Sequence, residues 1–158
     1  MKGIGGIAII IRTELTANIK EVTKCNERLM YMRIQTEKDT NNILLMNSYA
    51  PHMGYKADIR KKYWTEIKDA IQKKKGKECI IWATDNNGQI SRDIKETEQG
   101  EKGKNEDEDD ETIEQKKKTI GNWTYSKKTE KGNGEKLKKY SIKHNLWVTN
   151  THFIPKKK

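Results

Sequence analysis

A chain of 158 residues is long enough for one domain with its own core and too short for two ordinary ones. Hydrophobic residues make up 32% of it and charged residues 35%, so much of the chain must be solvated and the core must be thin. The 33 basic and 23 acidic residues give a formal charge of +10, which favours polyanionic partners because each Lys or Arg placed on a phosphate releases condensed counterions.

No stretch approaches the roughly 20 apolar residues that would span a bilayer, and MKGIGGIAIIIRTEL carries no small-residue cleavage site after its short apolar run. No membrane association is expected. The default expectation is an intracellular, soluble protein, with the nucleus as one candidate location. Cys25 and Cys79 are far apart and lack the spacing of a zinc site. Both read as reduced thiols, Cys79 as core packing at the head of an apolar run.

In chain order, GIGGIAIII (3–11) is a β-branched run introduced by glycines and predicts a buried strand. ERLMYMRIQT (27–36) alternates, with Met30, Met32 and Ile34 on one face and Leu29, Tyr31 and Arg33 on the other. NNILLMNSYAP (41–51) is a third strand, closed by Pro51, which cannot donate to a ladder. From Tyr55 to Lys75 the period changes, with Ile59, Tyr63, Ile67 and Ile71 four apart. That spacing predicts an amphipathic helix, with Gly76 as its C-terminal cap. ECIIWA (78–83) returns to the sheet and gives way at once to Thr84, Asp85, Asn86, Asn87 and Gly88.

The segment from about 91 to 118 differs in kind: six successive acids from Glu106 to Glu111 precede Lys116, Lys117 and Lys118. It has almost nothing to bury and reads as a charged, solvated or disordered insertion within one domain spanning 1–158. GEKLKKYSIKHN (134–145) resumes a helical pattern, with Leu137, Tyr140 and His144 on one side, and LWVTNT (146–151) reads as a last strand.

Three strand ends carry polar groups that could do chemistry: Tyr49, the pair Asp85 and Asn87, and Asn150. Phosphodiester hydrolysis needs such parts. Asp85 could orient or deprotonate a water, while Asn87 and the Tyr49 hydroxyl could hydrogen-bond the charge that develops on phosphate oxygens. A divalent ion on carboxylates would add Lewis acidity, and Mg²⁺ suits hard oxygen ligands. Asp-Asn-Asn-Gly is equally a turn by composition, since Asn and Asp tolerate left-handed geometry and bond their own backbone. Tyr49 alone reads as a half-buried strand aromatic and Asn150 as a strand-end turn residue. His52, His144 and His152 show no metal-site spacing and read as structural or surface residues.

The order of the pieces carries a resemblance. GGIAIII, NERLMYMRIQ, NSYAP, the amphipathic helix, IIWATDNNGQI, NGEKL and LWVTNT together resemble the middle of the endonuclease/exonuclease/phosphatase superfamily. The nearest form is the endonuclease domain of non-LTR retrotransposons, also found in craniofacial development protein 2-like sequences. Tyr49, Ala50 and Pro51 match that family's Tyr-Ala-Pro motif. Thr84 to Gly88 align with its Gly-Asp-Phe-Asn-Ala motif. Lys131 to Leu137 and Leu146 to Thr151 correspond to its Asn-x-Asn-Gly-x-x-Leu and Leu-x-x-x-Asn-Thr segments. Each motif is weak alone; five in order, over most of the chain outside the acidic insertion, are fairly specific.

The resemblance implies an α+β fold, the central part of a DNase I-like four-layer α/β sandwich with two mainly antiparallel sheets, incomplete at both ends. It implies a Mg²⁺-dependent phosphodiesterase that nicks DNA, in which Asp85 positions the attacking water, Asn87 contacts the phosphate and Tyr49 helps to bind or stabilise it. The departures are Thr84 for Gly, Asn86 for Phe, Gly88 for Ala and Lys131 for the first Asn of the later motif. The family's metal-binding Asn and Glu would lie upstream of Met1, and its Asp-His pair downstream of Lys158. The expectation is therefore a truncated copy with little or no activity alone. The alternative expectation is a non-catalytic basic protein that binds nucleic acid through its lysines. A third, phosphatase action on a lipid or small phosphoester, fits the basic surface and the motifs less well.

Overall fold

The computed structural model describes residues 6–36, 42–91, 118–124 and 129–153. The chain folds as two units, Met1–Asn87 and Gly88–Lys158. It is of mixed α+β class, and the described residues contain a single four-stranded mixed sheet, which lies in the first unit. The charged segment falls almost wholly outside the described residues.

The strands of the sheet are β1 (Ile19–Lys24), β2 (Leu29–Ile34), β3 (Ile43–Tyr49) and β4 (Cys79–Asp85), in that spatial order. β1 to β3 form an antiparallel meander, and β4 joins β3 in parallel after the crossover helix α1 (Ala57–Gln72). The period-two reading of β2 holds, and the structure selects its faces. Leu29, Tyr31 and Arg33 stand opposite Ser48, Met46 and Leu44, and those in turn opposite Thr84, Trp82 and Ile80. Tyr63, Trp64, Ile67, Ala70 and Ile71 of α1 are buried. Tyr63 bonds Ser48 and Trp64 packs edge-on to Trp82, at 6.5 Å between ring centroids, so α1 covers this face of the sheet. Fully burying a large apolar side chain gains about 1.5–3 kcal/mol, so this layer supplies most of the first unit's hydrophobic stabilisation.

Arg33 is buried on the same face and ties four segments together. Its guanidinium donates to Glu21 of β1, to Glu78 at 3.0 Å and to the Lys73 carbonyl beyond α1, while Glu78 also accepts from the Lys75 amide at 2.7 Å. A buried guanidinium survives only with such partners.

The opposite face is less complete. Val22, Met32, Leu45 and Ile81 form one transverse row across it, and the end members Val22 and Ile81 are 55% and 48% exposed. Cys79 lies on this face and is exposed, so it is not core packing. The apolar run of β4 misled because all of its residues are apolar whichever face they occupy.

Three other expectations change. Residues 6–12 form no strand, and Ile10 is 96% exposed. Residues 3–5 of the GIGGIAIII run lie outside the described residues; β3 already has a neighbour on each side, and the Asn47 side-chain amide donates to the Ala8 carbonyl at 2.7 Å. α1 stops at Gln72 rather than Lys75, and Gly76, with φ of +49°, turns the chain four residues later. LWVTNT is not a strand: it holds one bridge, Ile120 to Val148, and a 3₁₀ turn at Thr149–Thr151.

In the second unit, α2 (Asn133–Lys143) fulfils the helical pattern, with Tyr140 and His144 packed ring to ring at 5.9 Å. Its first turn packs against the chain after β4. A Cβ on Gly88 would lie 2.7 Å from the Gly134 nitrogen, and a Cβ on Gly134 would collide with the Gln89 carbonyl. Gly88 therefore stands where alanine has no room.

Candidate functional site

Because α1 returns the chain in parallel, β3 and β4 end at the same edge of the sheet. Strand ends of this kind are where α/β sheets place function. Tyr49 is in register with Asp85, and the next residue secures the pair: the Ala50 amide donates to the Asp85 carbonyl at 2.9 Å. The Asn87 side chain crosses back and donates from Nδ2 to the Ala50 carbonyl at 2.7 Å. Of the four strand-end residues singled out from the sequence, Tyr49, Asp85 and Asn87 therefore meet at one place, within the first unit. Asn150 is exposed in the second unit, in the 3₁₀ turn.

The local backbone explains the Asp-Asn-Asn-Gly segment. Asn87 adopts φ of +43°, in the left-handed region that asparagine tolerates, and its amide donates to Asp85 Oδ1 at 3.1 Å. This is the Asx-type turn that composition suggests. It leaves Asp85 exposed, with Oδ2 free of hydrogen bonds among the described residues, and Asn87 with one amide hydrogen and its oxygen uncommitted. The turn and the site are the same structure: the bonds that shape the loop also aim its carboxylate and amide.

Behind the site, on the α1 face, lies a closed polar chain. Trp82 Nε1 donates to Ser48 Oγ at 2.8 Å, and Ser48 donates to Thr84 Oγ1 at 2.9 Å. Ser48 has one hydroxyl hydrogen, so Tyr63 is the donor in the 2.9 Å contact between their oxygens. Burial pushes the Tyr63 phenol above its ordinary pKa, outweighing the bonds to Ser48 and Thr84 and the nearby Arg28 charge. Thr84, a departure from the family motif, thus has a specific partner, and Asn86, in the motif's Phe position, is buried.

Sequence reasoning missed Arg28. It precedes β2, its carbonyl accepts from the Tyr49 amide at 3.0 Å, and its guanidinium lies 5.5 Å from the Tyr49 ring centroid and 4.9 Å from that of Tyr55. Arg28, Tyr49 and Asp85 form a transverse row of cation, phenol and carboxylate at the sheet's end. The only sequence signal was an arginine one residue before an alternating strand.

The histidines take local roles. His52 accepts from the Gly54 amide at 3.0 Å and packs edge-on to Tyr55; His152 stacks on Trp147 at 5.4 Å. Desolvation, helped by the Lys143 charge, lowers the His144 pKa. Among the described residues no cluster of three or more His, Cys, Asp or Glu could hold a metal ion. The donor set described at the strand end does not fit a divalent ion. Lys131 is exposed and Asn133 buried in the second unit, at the later motif. No helix among the described residues is long and apolar enough to cross a membrane. No family model, curated protein or solved structure matches the chain.

Proposed function

We propose that this chain is the central part of a phosphodiesterase domain of the endonuclease/exonuclease/phosphatase type, akin to the endonucleases of non-LTR retrotransposons, and that DNA is its partner. The observation that carries the reading is the convergence of Tyr49, Asp85 and Asn87 at the parallel ends of β3 and β4. Asp85 Oδ2 is open to hold a water and take its proton as the oxygen attacks phosphorus and the opposite P–O ester bond breaks, the departing oxygen taking a proton from solvent. The Tyr49 hydroxyl and the second Asn87 amide hydrogen would donate to the phosphate oxygens on which charge develops. The four-layer sandwich belongs to the same proposal, supported by the half-open sheet face bearing Val22 and Ile81, where a second layer would pack.

Mg²⁺ is what the family resemblance implies, and the described residues offer it too few converging carboxylates or imidazoles. Our reading is of a copy with little or no activity alone, since hydrolysis loses orders of magnitude when any member of a cooperating set does not take part. The second reading, a non-catalytic basic protein that binds nucleic acid, draws support from the charge of +10.

Nicking of supercoiled plasmid in Mg²⁺ tests both. The expected result is cleavage close to background for the wild-type chain and no further loss in Asp85→Ala. Strong nicking abolished by that substitution would overturn the claim of inactivity and establish Asp85 as catalytic. Metal-independent DNA binding that Asp85→Ala leaves intact would favour the second reading.

A further inference from the structure

Arg28 is a buried cation with no anion paired to it among the described residues. It is 8% exposed, it forms no ion pair among the described residues, and its Nη1 is shielded from solvent without a hydrogen-bond partner there. A guanidinium does not deprotonate in a protein, so burial cannot be relieved by losing the charge. The faces of Tyr49 and Tyr55 offset part of the cost, since a cation over an aromatic ring gains about 0.5–2 kcal/mol. They leave the Nη1 donors unanswered, and an unsatisfied buried charged donor costs more than that. Arg33 shows how this fold treats a buried arginine whose role is structural, giving it two carboxylates and a carbonyl as partners.

We propose that Arg28 is the fixed cation of a phosphate-binding subsite at the ends of β3 and β4, with Tyr49 and Tyr55 holding the guanidinium and the anion supplying its missing partner. The phosphodiester reading of Tyr49, Asp85 and Asn87 underlies the choice of phosphate as the anion. Arg28 and Asp85 flank Tyr49 on neighbouring strands about 4.8 Å apart, so a phosphate above the phenol would have the cation on one side and the water-orienting carboxylate on the other. Because Nη1 is shielded, the anion reaches it by displacing one side of the clamp. Tyr55 is the side that gives way, since it lies on the connection between β3 and α1 and not in the sheet.

The test is a titration of the full chain with inorganic phosphate at constant ionic strength, followed by NMR of the tyrosine rings and by thermal unfolding, for wild type, Arg28→Gln and Arg28→Lys. Wild type should show saturable stabilisation and a shift of the Tyr55 ring signals. Arg28→Gln should weaken phosphate binding about tenfold or more, and Arg28→Lys, which keeps charge but loses the planar fork, by less. Absence of a saturable response in wild type overturns the proposal, as does unchanged phosphate affinity in either variant that keeps the wild-type spectrum. A short single-stranded oligonucleotide added as competitor separates this inference from the function it rests on. Displacement of phosphate identifies nucleic acid as the source of the anion. Arg28-dependent phosphate binding that the oligonucleotide leaves untouched sustains the subsite and removes the nucleic-acid reading.

Discussion

Ser48 illustrates how much one small side chain can organise. Its hydroxyl accepts from the Trp82 indole, accepts from Tyr63 and donates to Thr84, joining β3, β4 and α1 directly behind the candidate site. Removing it strands three polar groups at once, the buried Tyr63 and the half-buried Trp82 and Thr84, while removing one peripheral member strands less. Ser48→Ala should therefore cost about 2–3 kcal/mol and Tyr63→Phe about 1 kcal/mol in urea denaturation. Equal losses would show that the chain of bonds does not act as a unit. Nothing in NSYAP announces this role, because a serine in an apolar run reads as a strand-edge residue until its three partners, 15 to 36 positions away, are known. Tyr49, Asp85 and Asn87 were legible for the opposite reason: each stands at a break between an apolar run and a turn, and such breaks are local.

At the level of elements, β2 and α1 follow from their periods, and β3 and β4 from apolar runs bounded by turn residues, whereas β1, IKEVTK, went unread because only two of its six residues are apolar. The faces of β2 could not be assigned in advance, since both carry apolar residues and only α1 decides between them. The two strands wrongly expected, GIGGIAIII and LWVTNT, have β propensity without a ladder partner among the described residues, and propensity alone does not make a sheet. Arg33 shows how β1, the outermost strand, is held: its guanidinium reaches across to Glu21. Hydrogen bonds from Thr23 first and Arg33 second lower the Glu21 pKa from its ordinary value of 4.5. A carboxyl that titrates lower in the folded than in the unfolded chain stabilises the fold fully above pH 4.5 and loses that contribution as pH falls through the lower folded value. Glu21→Gln should thus melt below wild type at pH 7 and converge with it as the pH falls through the lowered folded value. A gap between the two melting curves that persists at acid pH would mean that Glu21 acts through packing and not through its charge.

For the whole molecule, charge and site make separable demands on DNA. The excess of 10 positive charges is spread along the chain, including lysines on α1 and α2, whereas the strand-end groups act at one phosphate. Binding driven by the spread of lysines depends on counterion release, so its affinity falls linearly on a log-log plot against salt, with a slope of about −0.9 per phosphate neutralised on duplex DNA. A contact from a shielded arginine adds to affinity at every salt concentration and contributes at most about one to that slope. Duplex binding by the full chain, measured by fluorescence anisotropy from low to moderate salt, should show a steep slope that Asp85→Ala leaves unchanged. Arg28→Gln should lower the whole line with little change in its steepness. Replacing a pair of exposed α1 lysines, Lys61 and Lys62, with glutamine should instead flatten it. A slope near zero in wild type would remove the basic surface from the account and leave the strand-end groups as the sole basis for recognising nucleic acid.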